Sequence, residues 1–391
     1  MTTPRSTSRF FSLHPSAPHP ATLAAIAPGR TVAVYGAGTI ASGLMTQLAA
    51  KDVRVARVID AKAAGQSVGD HVVLHPDTPE ITHSERADIP LILGIFNCFV
   101  DISALRTRLA GWGWTRIIDY TEIHAVWPDE LGNHFWLTNR KVCQENEAEI
   151  TKVSSLWADE TSRELYQEIL RFRVTGCQQG LQPTGTGNQY FPADVPPWKT
   201  PLRLIDCGGF DGDTLRQIHL RRHRLQLEAV ATFEPDLANF ARLAETLRMV
   251  ATTAESGNEH LSPRECIAFP CGVWERTVQL RFNSGKGGGS DISQSGETLV
   301  QCVSIDDALP GFRPTLIKMD IEGAEVAALH GARSTISCHR PGLAICVYHK
   351  PDDLWCIPLL LDSWQVGYRF YLRLHRYSGF DLVLYALPEL A

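Results

Sequence analysis

The sequence contains no apolar run of the roughly 18 residues that a membrane-spanning helix requires. Positive charge is also scarce, because 37 lysines and arginines stand against 43 aspartates and glutamates and leave a net charge of −6. Phosphate backbones are bound by basic surfaces. We therefore expect neither a membrane nor nucleic acid as a partner of this protein.

The ten cysteines form no Cys-x-x-Cys pair and no cysteine–histidine set with the spacing of a zinc site. A secretory signal is also lacking. These features predict reduced thiols and a cytoplasmic location, because disulfides persist in oxidising compartments.

The sequence does contain two stretches in which strand-like and helix-like patterns alternate. Its length of 391 residues suits two domains. Residues 1–28, rich in serine, proline and histidine, are predicted to be flexible. Apolar strands at 31–35 and 53–59 flank a helical pattern at 40–50. Alternation of this kind is typical of a parallel sheet, so residues 29–125 are predicted to form a Rossmann-like domain.

Residues 138–200 combine two helical patterns with a looser glycine- and proline-containing stretch, and we predict a helical connector or a lid there. From residue 201 to 391 strands and helices alternate again. An inserted hairpin is predicted from Val278–Phe282 and Thr298–Val303, joined by the glycine-rich Gly285–Ser290. A second hairpin, near the C-terminus, should close the sheet.

A glycine-rich turn that opens a helix follows the first strand of the C-terminal region. It contains Gly208, Gly209 and Gly212, between the acidic residues Asp206 and Asp213. Glycines let a ligand approach the backbone, and a helix N-terminus offers unpaired N–H groups. Acidic side chains here would repel a pyrophosphate but attract a cofactor with sulfonium and ammonium groups. We therefore predict that these five residues bind such a cofactor.

Two further acids, Glu234 and Asp236, follow the next strand. Glu234 comes 26 positions after Gly208 (234 − 208), and an acid about 20 residues past a glycine turn commonly binds ribose hydroxyls. Both acids are predicted to contact the cofactor. The alternative for Glu234 is that it caps the following helix.

Later strands place Asp320, Glu322 and His349 at the same edge of the predicted sheet. His349 and Asp320 are the candidates for a general base, and Asp320 alternatively orients the charged end of the cofactor. We predict no metal ion. The alternative is that Asp320, Glu322 and His349 bind Mg²⁺, which prefers oxygen ligands.

The motifs DCGGFDGDT, FEP, KMDIEGAE, YHKPDDLW and LVLYALP occur in this order. Together they resemble the FkbM family of methyltransferases over about residues 145–388. The resemblance implies S-adenosylmethionine as cofactor, with Asp206, Gly208, Gly212 and Glu234 in its site. It implies methylation of a hydroxyl on a sugar, a polysaccharide precursor or another small metabolite. The predicted fold is thus α/β with two Rossmann-like domains, the C-terminal one a class I methyltransferase sheet with a terminal antiparallel hairpin.

The N-terminal domain has a glycine turn of its own, with Gly36 and Gly38 after the first strand and Asp60 after the second. This pattern predicts a second nucleotide site, although Ala41 replaces the third glycine of the dinucleotide-binding motif. Two alternatives follow from it: an NAD(P)-dependent oxidoreductase that uses this turn, and a non-catalytic nucleotide-binding scaffold. The sequence leaves the oligomeric state open.

Overall fold

The computed structural model describes residues 13–15, 17–176, 181–184, 189–252, 263–285, 291–292 and 296–389. The chain divides into two units, each built from several segments. Unit 1 comprises residues 1–151, 164–183 and 376–380, and unit 2 comprises residues 152–163, 184–375 and 381–391. Residues 138–200, for which the sequence predicts a connector or a lid, are therefore shared between the two units.

Unit 1 contains a mainly parallel sheet. Its strands are β1 (Thr31–Tyr35), β2 (Arg54–Ile59), β3 (Ser67–Val68), β4 (His71–Leu74), β5 (Leu91–Leu93) and β6 (Ile117–Asp119). They lie in the order β3-β4-β2-β1-β5-β6, and only β3 and β4 pair antiparallel. β2, β4 and β3 lie on one side of β1, whereas β5 and β6, which come later in the chain, lie on its other side. The strand order therefore reverses between β1 and β5.

Helices cover this sheet because its strands are apolar on both faces. Val32, Ala33 and Val34 of β1 are fully buried. The helices of the N-terminal part are α1 (Pro20–Ala25), α2 (Thr39–Ala50), α3 (His83–Asp88), α4 (Ile102–Gly111), α5 (Tyr120–His124), α6 (Pro128–Leu131), α7 (Lys141–Glu145), α8 (Glu147–Ser154) and α9 (Glu160–Thr175). Within residues 1–28, predicted to be flexible, α1 forms and Ala25 is buried. Residues 1–12 and 16 lie outside the described part.

Unit 2 contains the longer sheet and a smaller inserted one. The strands are β7 (Leu202–Cys207), β8 (Leu227–Phe233), β9 (Glu265–Phe269), β10 (Gly272–Val273), β11 (Val278–Asn283), β12 (Asp291–Ile292), β13 (Thr298–Val303), β14 (Leu316–Met319), β15 (Gly342–Cys346), β16 (Tyr368–Leu374) and β17 (Leu382–Pro388). The main sheet has the order β16-β17-β15-β14-β7-β8-β9. Its strands are parallel except for β17, which runs antiparallel to β15 and β16. The predicted α/β class with a terminal antiparallel hairpin is confirmed.

The inserted hairpin is part of a four-stranded sheet in the order β10-β13-β11-β12. Strands β11 and β13 pair antiparallel, as the sequence predicts. Within the predicted glycine-rich connection, residues 286–290 lie outside the described part. The helices of unit 2 are α10 (Asp213–Leu220), α11 (Arg222–Leu225), α12 (Leu237–Thr252), α13 (Ile305–Ala308), α14 (Glu325–His330), α15 (Arg333–His339) and α16 (Asp353–Ser363).

A buried arginine joins distant segments of unit 2. The Arg373 guanidinium on β16 donates to Asp159 at 2.7 Å and to Asp194 at 2.5 Å, and its side chain is almost fully buried. Each bond is charge-assisted, and such bonds are about twice as strong as neutral ones. These contacts hold parts of the predicted connector against the terminal hairpin.

Two remaining expectations concern the thiols and the membrane. Five of the described cysteines are buried free thiols: Cys143, Cys207, Cys271, Cys302 and Cys346. Among the described residues, no helix combines the length and the apolar character that spanning a bilayer requires.

Candidate functional site

A cleft opens at the carboxyl ends of β7, β8 and β14 in unit 2. Its volume is about 800 Å³ including the open mouth. Polar side chains in its lining are Asp213, Glu234, Asn239, Lys318, Asp320 and Glu322. Apolar ones include Phe210, Phe233, Pro235, Val273, Phe282 and Ile292. The inserted sheet therefore contributes to one wall.

The structure brings only part of the predicted set into this cleft. Gly208, Asp213, Glu234 and Asp320 line it. Among the described residues, the lining does not include the other predicted positions: Asp206, Gly209, Gly212, Asp236 and His349. Each of these five residues instead makes contacts with other residues of the protein, as described below.

The glycines of the turn are required by the packing of the chain itself. Gly208 has φ +79°, and a Cβ atom there would lie 2.0 Å from the carbonyl oxygen of Asp320. A Cβ atom at Gly209 would lie 2.3 Å from Oγ1 of Thr232, and one at Gly212 2.6 Å from Thr246. These contacts are far shorter than van der Waals separations, so a larger residue at any of the three positions would displace the turn.

Asp206 forms a buried ion pair instead of facing the cleft. Its carboxylate lies 3.1 Å from Nζ of Lys318, and the two side chains are 0% and 3% exposed. The ammonium group also donates to the carbonyl oxygen of Gly208 at 2.5 Å. Burial raises the pKa of Asp206 to about 6, although Lys318 opposes this shift. Asp206 thus fixes Lys318 under the glycine turn.

Glu234 is held at the edge of the cleft by two backbone donors. Its carboxylate accepts the N–H of Phe210 and the N–H of Asp236, both at 2.9 Å. Burial raises the pKa of Glu234, and the two N–H groups lower it in part. Asp236 instead caps α12, accepting the N–H groups of Ala238 and Asn239 at 3.0 and 3.1 Å.

Asp320 presents an ionised carboxylate to the cleft. It accepts a hydrogen bond from the Tyr190 hydroxyl at 2.7 Å, and Nε2 of His349 lies 3.3 Å from its other oxygen. Burial raises the pKa of Asp320, but the bond from His349, the charge of Lys318 and the bond from Tyr190 together bring it below the ordinary value.

His349, a candidate general base from the sequence, lies behind Asp320 among carboxylates. Its Nδ1 is 2.8 Å from Glu325, and its Nε2 faces Asp320 and, at 3.7 Å, Glu322. Burial lowers the pKa of His349, but the charges of Glu325 and Glu322 and the hydrogen bonds raise it well above the ordinary value. Both ring nitrogens of an imidazolium are donors. In this arrangement His349 therefore has no lone pair with which to take a proton.

The same cluster has the composition of a metal site. One ligand atom each from Asp320, Glu322 and His349 lies within 4.8 Å of the other two. Carboxylate oxygens with an imidazole nitrogen suit several divalent ions. The raised pKa of His349 places a positive charge within the same cluster.

Comparison with known proteins identifies a family for most of the region that contains this cleft. Residues 206–376 match the family model described as the methyltransferase FkbM domain. These residues are a methyltransferase FkbM domain. A crystal structure of methyltransferase FkbM from Methylobacillus flagellatus KT is similar to this chain, with a TM-score of 0.74 and 21% sequence identity. The similarity covers 94% of this chain and 92% of that one; at this identity it shows the fold alone. No curated protein is similar enough in sequence to match.

The FkbM domain has a cleft with an excess of negative charge. Among the described residues, four carboxylates line it, from Asp213, Glu234, Asp320 and Glu322, against the single ammonium group of Lys318. That ammonium is already paired with Asp206. The lining therefore favours a ligand that is cationic at one end, while its aromatic and aliphatic side chains favour an apolar or heteroaromatic group.

Two residues of the site did not stand out from the sequence. Lys318 carried a signal, because a lysine within the apolar strand β14 requires a buried partner. Tyr190 was predicted only to lie in the connector or lid, because it precedes the FkbM domain and reaches Asp320 only through the fold.

Proposed function

We propose that this protein transfers a methyl group from S-adenosylmethionine to a hydroxyl oxygen of a sugar, a polysaccharide precursor or another small metabolite. The FkbM domain supports a methyltransferase. The observation that carries the choice of cofactor is the Glu234 carboxylate, which two backbone N–H groups hold at the edge of an acidic cleft. An acid at the end of the second strand is the usual partner of ribose hydroxyls in such sheets.

The residues of the cleft fit the parts of this cofactor. We assign Glu234 to the ribose, and the apolar wall that contains Val273, Phe282 and Ile292 to the adenine ring. Asp213 and Asp320 offer negative charge to the ammonium and sulfonium groups. When bound, the cofactor supplies an electrophilic methyl group. The contribution of the protein is then mainly orientation, which can remove about 7–11 kcal/mol of a barrier.

Asp320 is the group that we assign to the acceptor proton. A hydroxyl oxygen that attacks a methyl group becomes a protonated ether, which is a far stronger acid than a carboxylic acid. A carboxylate of low pKa can therefore take this proton. His349 and Tyr190 act as positioning residues, because each holds one oxygen of Asp320.

Two acids of the same turn allow a matched test of the cofactor site. Asp213 lines the cleft, whereas Asp211 binds Arg216 at 2.6 Å and is not part of the lining described. We expect Asp213→Asn to weaken S-adenosylmethionine binding, measured by calorimetry, and Asp211→Asn to leave it near wild type. Equal affinities of wild type and both variants would contradict the assignment.

The acceptor class is tested separately. The full chain is incubated with labelled S-adenosylmethionine and a panel of hydroxylated sugars, amines and carboxylic acids, and methylated products are identified by mass spectrometry. Products methylated on oxygen of the sugars would support the proposal. Transfer only to nitrogen or carboxylate would reject the hydroxyl acceptor while retaining the methyl donor.

A further inference from the structure

A second cavity lies in unit 1, at the carboxyl ends of β1 and β5. Its volume is about 1480 Å³ including the open mouth. Its walls come from the glycine turn at residues 36–40, from Asp60–Lys62 after β2, and from the segments around Phe96 and α4. The strand order reverses between β1 and β5. In open α/β sheets, ligands bind in the crevice at this point of reversal.

The charges at this cavity differ from those of the cleft in unit 2. The turn Gly36-Ala37-Gly38-Thr39 contains no acid, whereas the corresponding turn of unit 2 contains Asp211 and is flanked by Asp206 and Asp213. Lys62 and Arg108 lie in the lining together with two carboxylates, those of Asp60 and of Asp101, which caps α4. The N-terminus of the twelve-residue helix α2 points its first N–H groups to this turn, and such ends attract anions. The cavity therefore favours a phosphate-bearing ligand.

Gly38 leaves room that the chain does not fill. A Cβ atom there would meet no atom of the described residues within 4 Å. Gly36 differs, because its Cβ atom would lie 2.9 Å from the carbonyl oxygen of Gly94. Gly36 is thus required by packing, whereas the open space at Gly38 lets a ligand approach the start of α2.

Asp60 supplies the acceptor for ribose. Its Oδ1 accepts the N–H groups of Lys62 and Ala63 at 2.7 and 3.1 Å, which fixes the carboxylate at the end of β2. Oδ2 keeps its capacity to accept hydrogen bonds from neighbouring hydroxyls. An acid in this position favours an unmodified ribose over one with a 2′-phosphate. At the rim, Phe99 is 74% exposed, and the Arg376 guanidinium lies over its ring at 5.5 Å from the centroid.

We propose that this cavity binds a nucleoside diphosphate with an unmodified ribose, its diphosphate at the start of α2 and its ribose at Asp60. A dinucleotide and a nucleoside diphosphate sugar share this chemistry. The site is separate from the methyl-donor cleft, and the inference does not depend on the proposed methyl transfer.

Binding to the full chain is measured by calorimetry with NAD⁺, NADP⁺, ADP and UDP-glucose. We expect NAD⁺, ADP or UDP-glucose to bind, and whichever is tightest identifies the source of the diphosphate. NADP⁺ should bind about tenfold more weakly than NAD⁺, because its 2′-phosphate meets Asp60. Absence of binding by all probes at millimolar concentration, or NADP⁺ binding as tightly as NAD⁺, would overturn the proposal.

Substitution of Gly38 separates loss of the site from loss of the fold. Gly38 is the N-cap of α2 and has extended backbone angles, φ −91° and ψ −172°, which an aspartate or a serine adopts readily while capping the helix. Gly38→Asp should therefore keep the thermal midpoint of unfolding. Its negative charge should weaken nucleotide binding by about tenfold or more.

Gly38→Ser is the matched control, because it caps α2 without a charge. It should bind nucleotide more tightly than Gly38→Asp does, and both variants should keep wild-type affinity for S-adenosylmethionine. Nucleotide affinity of Gly38→Asp equal to that of wild type would refute the placement of the diphosphate. Loss of nucleotide binding in Asp213→Asn would place the nucleotide in the other cleft and overturn the proposal.

Discussion

Replacement of Glu234 by glutamine tests the ribose contact with a minimal change of shape. The carboxylate accepts one N–H group on each oxygen, from Phe210 and from Asp236. An amide has one oxygen, so one of these bonds is lost. Burial raises the pKa of Glu234, which means that the folded protein disfavours its charge. Removal of the charge therefore offsets part of the lost bond, and we expect little change in stability.

In cofactor binding, by contrast, nothing offsets the loss of the Glu234 charge. The ribose hydroxyls lose an anionic acceptor, and a hydrogen bond to a charged group contributes about 1.5–3 kcal/mol. This corresponds to an affinity about 10- to 100-fold weaker for Glu234→Gln. Titration calorimetry with S-adenosylmethionine measures the change, and thermal melting monitors the fold.

Glu228 provides the control, because it lies on the same strand and pairs with Arg203 at 3.6 Å. Glu228→Gln should bind the cofactor as wild type does. The reasoning fails if Glu234→Gln binds within twofold of wild type while its fold is intact. It fails equally if Glu228→Gln binds S-adenosylmethionine as weakly as Glu234→Gln does, because a general disturbance of the strand would then explain both losses of affinity.

Three further predictions follow from the same cleft. Asp320→Asn should lower kcat by about 10²- to 10⁴-fold and also lower the thermal midpoint, because the pKa of Asp320 lies below its ordinary value and the folded protein therefore favours its charge; kcat of the folded variant within threefold of wild type would remove Asp320 as proton acceptor. The pKa of Asp206 is raised from 3.8 to about 6. Between these two pH values Asp206 is therefore protonated in the folded protein but ionised in the unfolded chain. Its contribution to the free energy of unfolding therefore falls by about 3 kcal/mol as pH rises from 4 to 7, and urea melts of Asp206→Asn should lack this decline; parallel pH profiles of variant and wild type would refute it. Methyl transfer should persist in a metal chelator, because the imidazolium of His349 balances the acids; abolition of activity by the chelator and its recovery with Mg²⁺ would instead assign a metal to Asp320, Glu322 and His349.

The sequence predicted the sheets well because their strands are apolar runs bounded by glycines and acids. β1 ends in such a turn and was predicted at residues 31–35, its observed bounds. Strands of two residues, such as β3 and β10, were not predicted, because two residues show no periodicity. Their pairing depends on neighbours that are distant in sequence.

The site was predicted only in part, because residue type does not determine where a side chain points. Asp206 and Glu234 both end strands of the same sheet, yet one pairs with a buried lysine and the other faces the cleft. The chemistry of His349 depends on Glu325, which is the first residue of α14. The orientation of these side chains and their partners could therefore be learned only from the three-dimensional structure.

Unit 1 takes residues 376–380 from near the end of the chain. Within it, the Phe380 and Phe96 rings have centroids 5.1 Å apart, and a Cβ atom at Gly379 would lie 3.2 Å from Nε1 of Trp136. A chain truncated after residue 151 would lack this cover and leave aromatic surface open to aggregation. Because no single cut separates the units, we expect the two halves of the gene to be inherited together and not exchanged by recombination as independent modules.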